Sequence, residues 1–357
     1  MNPSEEPQAK RKQAFGSVKR ILVVKWSAMG DVAMATAVME DLRHAFPEAT
    51  IDLNALPAYA GLFAEDDRFG RLVLVDLKGE DRGWRGIRKW LGEVKSGNYD
   101  LVFDFQSNDR SRFLFALWRL SSFRVPVFVG HHKRFPYKVA PPKQRRPPRG
   151  VDGLRRILAE VGIESTTPCP VIGISKEREN KMDDLLAAEN LEGARLALLC
   201  PGSQAGGYLK RWGAERYAAL AGRLQSELGL RSVIVGGPDE VEECAKVHEL
   251  SKQATINFCG LTEALDLIPL GKRAEVVVAN DTGPAHLLAA ADKPMICICG
   301  PTDPVRVKPI CSRVETLQAD VECRSCYLKE CPNGHVCMEE LTVDMVMAAL
   351  AKLGIGD

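Results

Sequence analysis

Short runs of consecutive apolar residues recur along this chain of 357 residues, and most of them precede a segment with helical spacing. Strands that are apolar along their whole length are buried on both faces, so they belong to parallel sheets covered by helices. The predicted strands span residues 21–24, 50–55, 72–76, 100–105, 125–129, 196–200, 232–236, 275–279 and 295–299. The predicted helices span residues 32–46, 83–95, 111–120, 214–228, 240–252, 285–291 and 343–353. This alternation predicts an α/β protein.

The strand–helix units fall into two sets, and together with the chain length this favours two Rossmann-like domains. We expect their parallel sheets to face a central cleft, with ligands at the carboxyl ends of the strands. Prolines and charged residues interrupt the pattern between residues 165 and 190, where we expect the joint. The predicted parts are a basic N-terminal tail (1–19), an N-terminal domain (20–175), a C-terminal domain (176–340) and a C-terminal helix (341–357).

Composition and charge exclude several classes of protein. The net charge of +1 argues against a dedicated nucleic-acid binder. No apolar run reaches the roughly 20 residues of a membrane-spanning helix, and the polar, basic start of the chain lacks the apolar segment of a secretory signal. Cysteines such as Cys200, Cys244 and Cys297 resemble buried cytosolic thiols rather than a disulfide framework. We therefore expect a cytoplasmic protein without a transmembrane segment.

Residues 280–286 (NDTGPAH) follow the predicted strand 275–279 and open a helix of small residues. A strand, a glycine turn and a helix start together direct backbone N–H groups and the positive helix end toward an anion. Pro284 suits the first helical turn, where its missing N–H costs nothing, and His286 lies within that turn. Taken alone, the segment fits a simple strand-to-helix connection equally well.

A second loop, residues 24–31 (VKWSAMGD), leaves the first predicted strand and enters a helix, with Asp31 expected at or next to the N-cap. Aspartate caps are common and contribute about 0.5–2 kcal/mol, so a structural role is one interpretation. The other is catalytic, because a carboxylate at the carboxyl end of a strand can accept a proton from a sugar hydroxyl. Gly30 would allow close approach of a ligand, and Lys25 and Ser27 could contact its anionic or hydroxyl groups.

A third loop, residues 200–204 (CPGSQ), follows the first strand of the second set and leads to residues 210–212 (KRW). Ser203 suits a phosphate or ribose contact, and Lys210 could neutralise charge on a departing diphosphate. A solvated basic loop is the alternative. The chain has neither the lysine-bearing P-loop motif nor the GxGxxG dinucleotide fingerprint.

These loops together resemble a known family. The residues GDV at 30–32, PGS at 201–203 with KRW at 210–212, NDTGPAH at 280–286 and GPTDP at 300–304 look like motifs of the ADP-heptose:lipopolysaccharide heptosyltransferases, glycosyltransferase family 9. All four occur in this order across residues 20–340. The resemblance implies a GT-B fold with an N-terminal acceptor domain and a C-terminal ADP-heptose domain. It also implies inverting, metal-independent transfer of heptose to Kdo or heptose of the lipopolysaccharide inner core.

Residue roles and partners follow from the same resemblance. Asp31 would be the general base on the acceptor hydroxyl. The other implied contacts are to the donor: Lys210 to phosphate or sugar, Asp281 to the heptose, and Thr282, Gly283 and His286 to the diphosphate. No cofactor would be required. The acceptor would be a lipopolysaccharide core precursor, which places a cytoplasmic enzyme peripherally on the inner membrane.

Residues 131–149 hold seven lysines and arginines, five prolines and no acidic residue. Such a composition is unfavourable for a helix or a central strand. One interpretation is a solvated loop. The other is an electropositive lip that grips phosphates or carboxylates of the acceptor at the membrane surface.

Four cysteines near the C-terminus, Cys323, Cys326, Cys331 and Cys337, have a spacing that also occurs in zinc and iron–sulfur sites. Sequences similar to heptosyltransferases often carry such a segment without a metal in their chemistry. A structural metal, reduced thiols that pack a loop, and a disulfide are therefore three open interpretations, of which the reduced thiols are favoured.

Two other functions remain open at the level of sequence. A GT-B nucleotide-sugar hydrolase or epimerase would consume donor without an acceptor. A non-catalytic scaffold of an envelope-assembly complex would bind ADP weakly or not at all. The presence of Asp31, Lys210 and the 281–286 motif counts against the scaffold.

Overall fold

The computed structural model describes residues 15–77, 79–144 and 150–356. The chain divides into two compact units. The first contains the residues up to Thr167 together with Val171–Gly173, and the second contains Pro168–Pro170 and the residues from Ile174 onward. Most of the predicted basic tail, residues 1–14, lies outside the described residues.

The first unit is built on a five-stranded parallel sheet with the order β3-β2-β1-β4-β5. Its strands are β1 (Arg20–Val24), β2 (Thr50–Ala55), β3 (Leu72–Leu74), β4 (Leu101–Asp104) and β5 (Val127–Val129). Its helices are Met29–Ala45, Trp84–Ser96, Asp109–Leu120 and Val151–Ala159, with a 3₁₀ helix at Pro57–Phe63. In this order β1 lies at the centre, between β2 and β4.

Apolar residues on both faces of this sheet explain why its central strand, β1, carries no alternating polar pattern. Leu22 and Val24 pack in one cluster with Trp90 and Trp118. The intervening Val23 is equally buried and, since side chains alternate along a strand, faces the opposite side. Both faces are therefore covered, as the continuous apolar runs predict.

The second unit is built on a six-stranded parallel sheet with the order β11-β10-β9-β6-β7-β8. Its strands are β6 (Leu196–Cys200), β7 (Arg231–Ile234), β8 (Thr255–Asn257), β9 (Val276–Asn280), β10 (Met295–Ile298) and β11 (Val314–Leu317). Its helices are Lys176–Ala188, Ala214–Leu228, Val241–Leu250, Leu267–Arg273, Gly283–Leu288, Pro304–Val307, Val336–Glu339 and Val343–Lys352. Its 3₁₀ helices are Ala205–Lys210, Pro238–Glu240, Ala264–Asp266 and Ala289–Ala291.

Two apolar clusters cover the two faces of this second sheet. Ala197 and Leu199 belong to one cluster, and Leu198 and Cys200 belong to the other. The alternation along β6 therefore divides one strand between two cores. The arrangement leaves the carboxyl ends of β6 and β9, which are neighbours in the sheet, side by side.

The predicted α/β fold class with parallel sheets is confirmed, with differences at particular elements. The helix predicted at 32–46 is Met29–Ala45, so Asp31 is its third residue rather than its cap. The structure adds β8 and β11, which the sequence pattern did not predict because both are short and their apolar residues are interrupted by polar ones. Within the described ranges, no helix is long and apolar enough to cross a membrane.

Candidate functional site

The carboxyl ends of β6 and β9 are joined by the side chain of Asn280. Its amide nitrogen donates to the carbonyls of Pro201 (2.6 Å) and Gly202 (3.2 Å). Its oxygen lies 3.1 Å from the hydroxyl of Tyr217, which also approaches the carbonyl of Cys200 (3.2 Å). Asn280 is fully buried, so these bonds satisfy a polar group inside the unit. They hold the loop after β6 against the loop after β9.

An ion pair occupies the same edge of the sheet. The Nζ of Lys210 lies 2.8 Å from Asp281 Oδ2 and donates to the Asp281 carbonyl at 3.1 Å. The Nε2 of His286 lies 3.9 Å from Asp281 Oδ1. Asp281 is almost completely buried, whereas a third of the Lys210 side chain is exposed. The structure therefore brings together three of the predicted donor residues, although 71 positions separate the lysine from the aspartate.

The predicted anion-binding segment opens the helix Gly283–Leu288. Thr282 is the N-cap, with extended backbone, and Pro284 lies in the first turn. The Thr282 hydroxyl is within 3.4 Å of the Asn280 carbonyl. The amides of a first helical turn have no partner within their own helix. The backbone N–H groups of Thr282, Gly283 and Ala285 are therefore the groups that could meet an anion here, since Pro284 has none.

Ser203, a predicted substrate contact, is buried within the loop that follows β6. It is 1% exposed, and its hydroxyl donates to the carbonyl of Gly207 at 2.9 Å. Arg211 donates to the Ser203 carbonyl at 2.8 Å and approaches the Glu243 carboxylate at 3.6 Å. Ser203 and Arg211 thus fix the shape of the loop that ends at Lys210, while substrate contact by Ser203 stays a prediction.

Glu240 is a buried carboxylate at this edge that the sequence analysis missed. It accepts a hydrogen bond from the backbone N–H of Gly237 (2.6 Å), and its side chain fills the space beside Gly202, where a Cβ would come within 2.6 Å of it. Burial raises the pKa of Glu240. The double glycine that follows β7, with a carboxylate after it, was the available signal.

In the first unit, two side-chain amides hold the loop after β1. The Gln106 side-chain oxygen accepts from the backbone N–H groups of Trp26 (2.8 Å) and Ser27 (3.1 Å). The Asn54 side-chain oxygen accepts from the indole N–H groups of Trp26 (2.9 Å) and Trp90 (2.8 Å). Neither amide was singled out from sequence, although both lie at or just beyond the carboxyl end of a strand.

Asp31 and Lys25 are the two predicted charges of that loop. The Asp31 carboxylate accepts one backbone hydrogen bond, from Ala28 at 3.3 Å, and no described side chain donates to it. Lys25 is 7% exposed, and its ammonium has no hydrogen-bond partner among the described residues. Burial lowers the pKa of Lys25, although the nearby carboxylates of Asp31 and Asp104 act in the opposite direction. Ser27 is half-buried and Gly30 is buried in the first helical turn.

Asp104, at the end of β4, is held by a set of hydrogen bonds. It accepts from the hydroxyls of Tyr137 (2.5 Å) and Ser111 (2.7 Å) and from the backbone N–H of Ser107 (2.9 Å). Burial raises the pKa of Asp104. Burial also raises the pKa of Tyr137, and the Asp104 carboxylate that the phenol faces raises it further. Asp104 therefore accepts three hydrogen bonds within the unit, whereas Asp31 accepts one.

Two histidines follow β5 and begin the basic segment. The rings of His131 and His132 are 4.1 Å apart, and His131 lies 5.8 Å from the ring of Tyr137. Burial, together with the neighbouring His132 and Arg112, lowers the pKa of His131 to about 4. The described part of the segment, residues 131–144, contains no helix or named strand, and Lys133 and Arg134 are exposed. Residues 145–149 of the predicted lip lie outside the described residues.

The cysteine segment does not form a ligand set in the structure. Cys337 is buried, Cys323 and Cys331 are half-buried, and Cys326 is exposed. All four are free thiols, as are the other seven cysteines, so the structure contains no disulfide there. In the described ranges, no three His, Cys, Asp or Glu side chains are arranged to hold a metal ion.

Comparison with known proteins gives a consistent set of relatives. The family model described as glycosyltransferase family 9 (heptosyltransferase) matches residues 87–337. A lipooligosaccharide heptosyltransferase 2 from Campylobacter jejuni is 28% identical over 333 residues, which cover 91% of this chain and 95% of that protein.

Solved structures resemble the fold over nearly the whole chain. A glycosyl transferase family 9 protein from Veillonella parvula has a TM-score of 0.80 at 23% identity, covering 94% of this chain and 97% of that one. The E. coli heptosyltransferase WaaC with ADP-2-deoxy-2-fluoro heptose has a TM-score of 0.68 at 21% identity, covering 93% and 99%. These likenesses concern the fold, and they confirm the predicted GT-B class.

Proposed function

The chain belongs to glycosyltransferase family 9, the heptosyltransferases, and from this membership we propose that it transfers heptose from ADP-heptose to the lipopolysaccharide inner core. The chain is thus a glycosyltransferase. The proposal specifies the donor, an acceptor hydroxyl on Kdo or heptose, and the residues that act. Relatives named as lipopolysaccharide or lipooligosaccharide heptosyltransferases support it, as does the WaaC complex with an ADP-heptose analogue.

One observation carries the donor assignment. Lys210 and Asp281 form an ion pair directly before the helix that starts at Gly283. A cation and a helix start placed together favour a bound diphosphate and stabilise the charge that develops when it leaves. We assign the phosphates to Lys210, Thr282, Gly283 and His286, and the sugar to Asp281. In this assignment protein groups supply the whole charge sink, and a metal ion is not required.

Asp31 is the proposed general base. Its carboxylate accepts only one backbone hydrogen bond within the described residues, which leaves acceptor positions for a sugar hydroxyl. As the acceptor oxygen attacks the anomeric carbon of heptose, Asp31 takes the hydroxyl proton. The bond between that carbon and the phosphate oxygen breaks, and its electron pair leaves with ADP. Attack opposite the leaving group inverts the anomeric centre.

The remaining assignments concern the parts of the chain. Residues 20–175 would bind the acceptor and residues 176–340 the donor, with residues 341–357 as a C-terminal helix. Lys25 and Ser27 would contact acceptor polar groups beside Asp31, and Gly30 would admit the acceptor close to the backbone. The enzyme would work in the cytoplasm at the inner-membrane surface, where the basic segment grips anionic groups of the acceptor.

A donor and acceptor matrix tests the proposal. The purified protein is incubated with ADP-heptose, UDP-sugars or GDP-sugars, with and without a deacylated lipopolysaccharide core, and nucleotide release is followed. We expect ADP release only when ADP-heptose and the acceptor are both present. Release without acceptor would instead indicate a hydrolase or epimerase, and no release from any donor would indicate a scaffold.

A further inference from the structure

The helix Asp109–Leu120 carries apolar residues on its outer side as well as on its inner side. Leu114, Phe115 and Trp118 are buried in the core of the first unit. Phe113 and Leu120, seven positions apart and therefore on one side of the helix, are 51% and 76% exposed. We call Phe113, Leu120 and the still more exposed Phe123 the outer ridge.

The outer ridge adjoins the basic segment. The guanidinium of Arg119 lies 5.9 Å from the ring centroid of Phe135, which is 56% exposed and belongs to the segment 131–144. Isolated exposed apolar side chains are ordinary on protein surfaces, but a contiguous set marks an interaction site. The contact between Arg119 and Phe135 makes the helix and the segment parts of one surface.

The charge of this surface is strongly one-sided. Residues 109–144 contain eight lysines and arginines and a single acidic residue, Asp109. Asp109 pairs with Arg112, and Arg124 pairs with Asp100. The other six cations are exposed and have no ion pair among the described residues: Arg110, Arg119, Lys133, Arg134, Lys138 and Lys143. The chain as a whole has a net charge of only +1, so the cations are concentrated here rather than spread evenly.

We propose that the outer ridge and its surrounding cations form the surface that binds the protein to an anionic lipid bilayer. Phe113, Leu120 and Phe123 enter the headgroup region, and Arg110 and Arg119 pair with lipid phosphates. Exposed apolar side chains bordered by arginine and lysine are the combination that binds bilayer interfaces. The purpose of this surface rests on the proposed function, because a lipid-borne acceptor has to be reached at the membrane.

Vesicle sedimentation of the full-length protein tests the inference. The vesicles are phosphatidylcholine with or without phosphatidylglycerol, at low and high salt. We expect binding only to the vesicles with phosphatidylglycerol, weakened by salt. The triple variant Phe113→Ser/Leu120→Ser/Phe123→Ser and the double variant Arg110→Gln/Arg119→Gln should each weaken binding on the order of tenfold or more.

A matched control comes from the second unit, where Val305 and Leu328 are 87% and 50% exposed. Val305→Ser/Leu328→Ser should bind vesicles as the unaltered protein does. All variants should keep their circular dichroism spectrum and their turnover with the water-soluble deacylated acceptor. The turnover measurement separates this inference from the proposed function. The protein can bind vesicles without transferring heptose, and it can transfer heptose without binding vesicles.

Several results would overturn the inference. They are no binding of the unaltered protein to anionic vesicles, equal binding to pure phosphatidylcholine, or unchanged binding of the ridge variant. Concentration-dependent self-association that the ridge substitutions abolish, without vesicle binding, would assign the surface to a second copy of the chain instead.

Discussion

Both units place candidate residues at the carboxyl edge of a parallel sheet, but the charged side chains at the two edges differ in how completely they are paired. In the second unit, Lys210 is already paired with Asp281, and His286 lies close to the same carboxylate. In the first unit, the Lys25 side chain is buried and makes no hydrogen bond, and the Asp31 carboxylate accepts only one, within the described residues. The proposed donor edge is therefore electrostatically complete before a ligand binds, and the proposed acceptor edge is not.

The difference fits the chemistry proposed for each edge. A diphosphate is negatively charged. A lysine that is paired with an aspartate can therefore turn toward the diphosphate and still be paired with an anion. A general base must keep acceptor positions open for a hydroxyl proton, so pairing it in advance would lower its basicity. The two edges can be compared directly by removing one charge at a time.

Removal of Asp31 should have the largest effect. Asp31→Ala is expected to lower kcat on the order of 10²–10⁴-fold, because the proposed general base is lost, while ADP affinity stays nearly unchanged. Single-turnover kinetics and ADP titration calorimetry measure the two quantities. Loss of ADP affinity together with kcat would mean that Asp31 is only a structural element of the helix start.

Removal of Lys210 should cost both activity and stability. Lys210→Met is expected to lower kcat/KM on the order of 10²–10³-fold, because a positive charge positioned to stabilise the leaving group is lost. It should also lower Tm by a few degrees, because the buried Asp281 carboxylate loses its partner. Thermal scans and steady-state kinetics follow both.

Two further variants isolate the ion pair. Lys210→Met/Asp281→Asn should recover most of the Tm without recovering activity. Lys246→Met breaks the exposed pair with Glu215 and should change neither quantity much, as surface ion pairs contribute little. A double variant no more stable than Lys210→Met would contradict this account of the ion pair.

Replacement of Lys25 should lower activity without lowering stability. Lys25→Met is expected to lower kcat/KM about tenfold or more, from loss of a positive charge in the proposed acceptor site. Its Tm should not fall, since burial disfavours the ammonium in the folded state.

The pH dependence of folding stability shows whether the Lys25 ammonium stabilises or destabilises the folded protein. Because the folded-state pKa lies below the ordinary 10.5, the unfolded chain binds more protons between those two values, and stability there rises with pH. The stability advantage of Lys25→Met should therefore shrink as pH approaches 10.5 in chemical unfolding experiments. A markedly lower Tm for the variant would show that Asp31 and Asp104 stabilise the lysine after all.

The basic segment should give the smallest effect. Lys133→Gln/Arg134→Gln/Lys138→Gln is expected to raise the KM for a soluble anionic acceptor about threefold to tenfold, more at low salt, by weakening attraction alone. ADP affinity should not change. An unchanged acceptor KM would show that these cations do not contact the acceptor.

The sequence predicted the parts of the structure that depend on local pattern. Continuous apolar runs such as Leu196–Cys200 predicted parallel strands, and the glycine turn at Gly283 predicted a helix start. The contact between Lys210 and Asp281 was beyond such reasoning, because it depends on which strands are neighbours in the sheet. Periodicity carries no information on strand order.

Polar residues at strand ends were the signal that went unused. Asn54, Asp104 and Asn280 each end or nearly end a buried strand, and each is fully buried with side-chain hydrogen bonds to distant segments. A polar group so placed has to find partners across the edge of the sheet. Their positions therefore marked the site edges in advance, although the identity of the partners could not be read from the sequence.

The bonds made by Asn280 have a consequence for motion. Because one side chain ties the backbone at Pro201 and Gly202 to the end of β9 and to Tyr217, these segments cannot open separately without leaving a buried amide unsatisfied. Their backbone amides should therefore exchange with solvent deuterium as one cooperative group. The base of the proposed donor site would then behave as a single rigid body, with or without a bound nucleotide.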